Sequence, residues 1–236
     1  MTIKKFLSSM ALAIFAGLSV YAVEPREYRL EVADFTELKV NDKLNVNYRC
    51  SADSAGQVYF TTTPDVAMQL IFTSNKEQLK IQVTDDYYPD KFPTMTVYSS
   101  MLEKVENASD STVRVINNVP VKEFKAKVIG NGSIFIDEVE ANTVDISLMT
   151  GRGQIMVNDG RAFKTSIVNV GTGTVQAGKL ISSQVKVKIG GTGNVDCYAG
   201  ESLSVYGMGS GKVYYAGNPG KVTNRSVGVK AYPVEN

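Results

Sequence analysis

The 236-residue sequence predicts an all-β chain wound into a parallel β-helix, a β-solenoid with coils of about 20 residues. Three observations carry that expectation. Corners of small residues recur at near-constant spacing, apolar residues alternate with period two after each corner, and a second alternating run precedes each corner. Repetition on this scale outranks any single local motif, because each unit buries its apolar side only against the next.

Taken in order, the chain opens on a segment outside the predicted fold. Lys4 and Lys5 form a positive start, "FLSSMALAIFAGLSV" is an apolar stretch, and Val20 and Ala22 stand just before Val23. That layout predicts a secretory signal peptide over residues 1–22, cut after Ala22. Ser8, Ser9, Gly17 and Ser19 interrupt the run, which is short for a membrane span of ~20 residues. No cysteine stands near the cut, which argues against a lipid anchor. The expected location is the periplasm or the cell surface, with no transmembrane span once the leader is removed.

Residues 23–109 show β patterning without a regular repeat. "YRLEVADFTELKVNDKLNVNYRC" alternates but is interrupted at Asp34 and Asn41, and strands are expected at 57–62 and 79–83. "DVAMQLIFTS" reads as a short helix, and "TMTVYSSMLEKVENAS" returns to the ladder spacing. The expectation is irregular coils or a cap, continuous with the solenoid. Terminal repeats are atypical because an uncovered end invites edge-to-edge association.

Residues 110–236 carry the regular, glycine-rich ladder. The second small residue of each corner falls at Ser111, Gly132, Gly153, Gly173, Gly193 and Gly211, at spacings of 21, 21, 20, 20 and 18. A looser copy begins at Ser226. Two residues past each marker stand Val113, Ile134, Ile155, Val175, Val195 and Val213. Four past it stand Val115, Ile136, Val157, Ala177, Cys197 and Tyr215. The same phase in successive copies predicts stacked cores. A third apolar point near Val139, Ala162, Leu180 and Ala199 makes three sides per coil the preferred geometry and two sides the alternative. The corner glycines are then expected to turn the chain, by admitting positive φ and by leaving room where corners stack.

Phosphate or metal loops fit these corners poorly. After "GTG" the chain continues "TVQAG", with no Lys-Ser/Thr pair and no helix pattern for a nucleotide loop. Asp196 lies in a strand rather than in a corner, unlike the aspartates of calcium-binding rolls. The chain has no histidine, which removes imidazole acid–base chemistry and the commonest transition-metal ligand. Cys50 and Cys197 are too few for a zinc site, and Cys197 falls on an inward rung where a small thiol fits as core. Without the leader, 23 basic face 24 acidic side chains, and the basic ones are scattered, so a nucleic-acid partner is not expected. No cofactor is expected.

Outside the ladder, "TDDYYPDKFPTM" sets Tyr87, Tyr88 and Phe92 among Asp85, Asp86 and Asp90. It reads as a surface loop with aromatic contact area for carbohydrate or protein, or as a plain connection. In "VYYAGNPGKV", Tyr215 faces inward by the ladder phase and Tyr214 outward, where it is a further candidate for partner contact.

The repeated G-x-G corners, "GKVYYAGNPGKV" and "VADFTELKVNDKLNVNY" after a leader resemble the exported bacterial family labelled putative autotransporter adhesin, head GIN domain. The resemblance runs over most of residues 30–232, although Ser111 and "RSVGVK" depart from the glycine corner. It implies a right-handed β-helical fold common in Bacteroidetes, and no established catalytic set. The expected function is an exported, non-enzymatic binding or surface-structural module. Its partner would be a surface glycan or an envelope protein, and self-association is open. The alternatives are a carbohydrate-active β-helical enzyme and an envelope scaffold without a soluble ligand.

Overall fold

The computed structural model describes residues 24–84 and 92–234, which form an all-β parallel solenoid of nineteen strands, one short α-helix and one 3-10 turn (Ala52–Ser54). The N-terminal elements are β1 (Arg26–Glu31), β2 (Glu37–Asn41), β3 (Val46–Cys50), β4 (Gln57–Thr62), α1 (Pro64–Ala67) and β5 (Leu70–Asn75). They continue as β6 (Gln78–Val83), β7 (Met95–Ser99), β8 (Lys104–Ala108) and β9 (Thr112–Asn117). The regular coils hold β10 (Val121–Ile129), β11 (Ser133–Ile136), β12 (Val139–Met149), β13 (Gln154–Val157) and β14 (Gly160–Gly171). They end with β15 (Thr174–Gly191), β16 (Asn194–Gly209), β17 (Lys212–Ala216), β18 (Lys221–Val227) and β19 (Lys230–Pro233). The predicted leader lies outside the described residues.

Three sides per coil are visible in the burial phase of β12. Val139 and Ala141 point inward, and then Val144, Ile146 and Leu148 do. The inward step of three between Ala141 and Val144 marks a bend, because an unbroken strand keeps its inward residues two apart. The short side pairs Val139 with Gly160 and Gly160 with Leu180. The long side runs through the second halves of β12, β14, β15 and β16, all parallel. The remaining side stacks Val113, Ile134, Ile155, Val175, Val195 and Val213 as one column of fully buried residues. Val175 and Val195 therefore share a core, as the repeat requires.

Each G-x-G corner divides its work between two glycines. The positive φ belongs to the first, at +135° in Gly171 and +130° in Gly191. Gly173 and Gly193, the positions expected to need it, lie outside that region. They are small for a different reason. A Cβ at Gly193 would stand 2.5 Å from the Gly173 carbonyl oxygen and 2.6 Å from Asn169 Nδ2, and one at Gly173 would overlap the Gly153 carbonyl. Gly132, Gly153 and Gly211 face the same kind of crowding from the corner below.

The N-terminal coils are not stacked in chain order. β2 pairs in parallel with β6 on one side and β8 on the other, and β3 lies between β7 and β9. The first coil is thus enclosed by two later ones. The outer end is then finished with antiparallel strands, β5 against β6, and β4 against both β7 and β1. The helix expected over "DVAMQLIFTS" is confined to Pro64–Ala67. Leu70–Asn75 is strand instead, because its full-length antiparallel ladder with β6 outweighs local propensity. One hydrophobic cluster runs from Phe35 to Val229 without interruption.

Candidate functional site

The outward positions of the long side form the most developed surface. Thr143, Lys164, Gln184, Ser202 and Lys221 follow one another across coils as one column. Two residues along each strand, Asp145, Ser166, Lys186, Ser204 and Thr223 form the next. Both columns as far as Ser202 and Ser204, together with Tyr206, line a shallow groove of about 270 Å³. The Lys186 ammonium lies 5.4 Å from the centre of the Tyr206 ring, a cation–π arrangement that holds both side chains over the groove. Hydroxyls, an amide, two ammonium groups and an aromatic ring thus project from a rigid sheet at strand spacing.

Charge on this face changes along the solenoid. Nearer the N-terminus the cations are neutralised: Lys104 meets Glu37 at 3.0 Å, and Lys39 and Lys127 flank Glu106 at 2.9 and 3.4 Å. Burial acts to raise the Glu106 carboxyl, but the two ammonium groups outweigh it and hold it below its ordinary range. Beyond Lys127, Lys164, Lys186 and Lys188 have no ion-pair partner among the described residues. Asp145 is the one carboxylate among the groove residues, pushed up by burial and by the nearby charge of Glu123. A glycosidase needs two carboxyl groups across its groove, and this groove supplies one. No cluster of metal-ligating side chains occurs among the described residues. What the groove does present is hydrogen-bonding groups, positive charge and one aromatic face.

The residues singled out from sequence are dispersed. Tyr87 and Tyr88 lie outside the described residues. Phe92 is 7% exposed and packs into the core, so its ring covers the interior instead of offering contact area. Tyr214 is half-buried on the outer face and stacks on Tyr232 of the next coil, with ring centres 5.8 Å apart. Cys197 is a buried free thiol pushed up to about 12 by burial and by Asp196, and Cys50 is also free, its Sγ donating to the Ser100 carbonyl at 3.1 Å.

No sequence motif marks Lys164, Lys186 or Tyr206. The signal lies in the alternation of "QVKVKI" and "SLSVYG", whose outward positions are Gln-Lys-Lys in one coil and Ser-Ser-Tyr in the next. Two interior asparagines likewise carry no local motif. Asn169 Nδ2 donates to the carbonyls of Gly173 and Asn194 at 3.0 and 3.1 Å, tying a corner to its neighbour. Asn107 does the same with Ser111 and Ser133 at 2.8 and 3.0 Å.

Comparison with known proteins agrees with this architecture. A "putative adhesin" from Bacteroides fragilis NCTC 9343 has the same fold at TM-score 0.79 and 17% identity, over 90% of this chain and 98% of that one. A "putative adhesin" from Parabacteroides distasonis ATCC 8503 superposes at TM-score 0.71 and 20% identity, over 89% and 97%. A "putative lipid binding protein" from the same strain does so at 0.69 and 17%, over 89% and 97%. No curated protein matches. Residues 34–219 match the family described as "Putative auto-transporter adhesin, head GIN domain", and the chain belongs to that family.

Proposed function

We propose that this protein is an exported, non-enzymatic binding module whose long face receives a glycan. The observation that carries this reading is the groove across four coils, where hydroxyls and Gln184 offer hydrogen bonds, Lys164 and Lys186 offer charge, and Tyr206 offers a ring face. Sugars combine dense hydroxyls with weakly apolar C–H faces, so a polar floor with an aromatic edge matches them. The leader predicted over residues 1–22 and the adhesin label of the family support display outside the cytoplasm. The sheet holds these side chains at strand spacing, so a polymer lying across the coils meets hydroxyl, amide and ammonium groups in turn.

A glycan array probed with the chain from residue 23 onward tests the reading. Binding to a defined glycan is expected, with Tyr206→Ala and Lys186→Ala each weakening it about tenfold. Loss on Tyr87→Ala or Tyr88→Ala, with Tyr206→Ala silent, would move the site to the segment between β6 and β7. No glycan binding by the folded chain would overturn the proposal in favour of an envelope scaffold.

A further inference from the structure

We infer that the C-terminal end of the solenoid is a docking surface for an anionic lipid bilayer. Residues 202–234 contain Lys212, Lys221, Arg225 and Lys230 and not one Asp or Glu. All four cations are exposed, and none has an ion-pair partner among the described residues. The same two coils expose unusual apolar surface. Met208 and Val227 are 72% and 71% exposed, with Val222, Tyr232 and Val234 also open.

Strand register brings these features together. Met208 pairs with Val227, and two residues back along the same strands Tyr206 pairs with Arg225. Ser202 pairs with Lys221, and Lys212 with Lys230 on the adjoining side. Each apolar side chain therefore has a cation within a few strand positions, on a sheet that cannot rearrange to bury it.

That combination fits a bilayer interface. Met and Val side chains reach the acyl boundary, tyrosines lie at headgroup depth, and ammonium and guanidinium groups meet lipid phosphates. Edge strands β18 and β19 have no further partner strand among the described residues. Their free backbone groups stay hydrated at headgroup depth, so contact is shallow and does not span the membrane. A second copy docked end to end by this surface would set four cations against four, which disfavours it. The inference uses residues outside the glycan groove except Tyr206, and it stands or falls separately.

Vesicle sedimentation of the folded chain tests it. Vesicles of equal parts phosphatidylglycerol and phosphatidylcholine should carry the protein down at low salt, and pure phosphatidylcholine should not. At roughly fivefold per charge, the triple change Lys221→Gln, Arg225→Gln and Lys230→Gln should weaken partitioning about a hundredfold. Lys221→Arg with Lys230→Arg should retain it, and Met208→Ser with Val227→Ser should cost about tenfold. No binding to the anionic vesicles, or binding unchanged in the triple variant, would overturn the inference. So would light scattering that shows concentration-dependent assembly through this end in place of lipid binding.

Discussion

Gly173 and Gly171 show how much a single position can demand. At Gly171 the constraint is torsional, because its φ of +135° is one that side chains rarely adopt. At Gly173 the constraint is spatial, because the Gly153 carbonyl and a Leu148 methyl occupy the place of a Cβ. Neither neighbour can withdraw, since one is backbone of the stacked corner and the other is packed core. Gly173→Ala is therefore expected to cost about 2–3 kcal/mol, read as a fall in the urea midpoint without a change in slope. A loop that served only a ligand would lose binding and keep its midpoint. The corner glycines were legible because they recur, whereas their division of work was not, since crowding comes from residues about 20 positions away in the chain. Asn169 was hidden for the same reason: its acceptors belong to two different coils.

At the scale of elements, the long side is where polar groups are organised. Glu106 bridges Lys39 of β2 and Lys127 of β10, strands that flank β8 on either side. Because the folded carboxyl is held below its ordinary pKa, its contribution is whole above about pH 4.5 and is lost as pH falls through the lower folded value. Glu106→Gln should thus cost about 1 kcal/mol near pH 7, and the difference from the parent chain should close near pH 2. Urea titrations at the two pH values check this, and a difference that persisted in acid would assign it to packing. The pattern of β11 to β17 was readable because strand phase is written locally, one residue in and one out. Leu70–Asn75 was misread because its strand state depends on β6, and amphipathic spacing over so few residues does not separate helix from strand. The groove belongs to this scale as well. Its parts come from four coils, and none of them carries a motif alone.

For the whole molecule, the uninterrupted cluster from Phe35 to Val229 ties the irregular and regular parts into one core. A single unfolding transition is expected, with far-ultraviolet circular dichroism and tyrosine fluorescence changing together. Two resolved transitions would place a stability boundary near the join between β9 and β10. The two ends differ in kind. Antiparallel strands finish the first, while the second leaves β18 and β19 bare but guarded by Lys221, Arg225, Lys230 and Pro233, side chains that discourage strand addition. Composition revealed those cations, but only the stacking shows that they gather at one pole.

The enclosure of β2 and β3 has a consequence for how the chain acquires its shape. Their partners lie at residues 78–83, 95–99 and 104–117, so a polypeptide emerging from its N-terminus holds two strands with nothing to join until that later stretch arrives. Assembly cannot simply wind forward from the start. The early residues must wait unpaired and then be clasped from both sides, so the first coil closes only when β8 and β9, more than fifty residues further along, have been made.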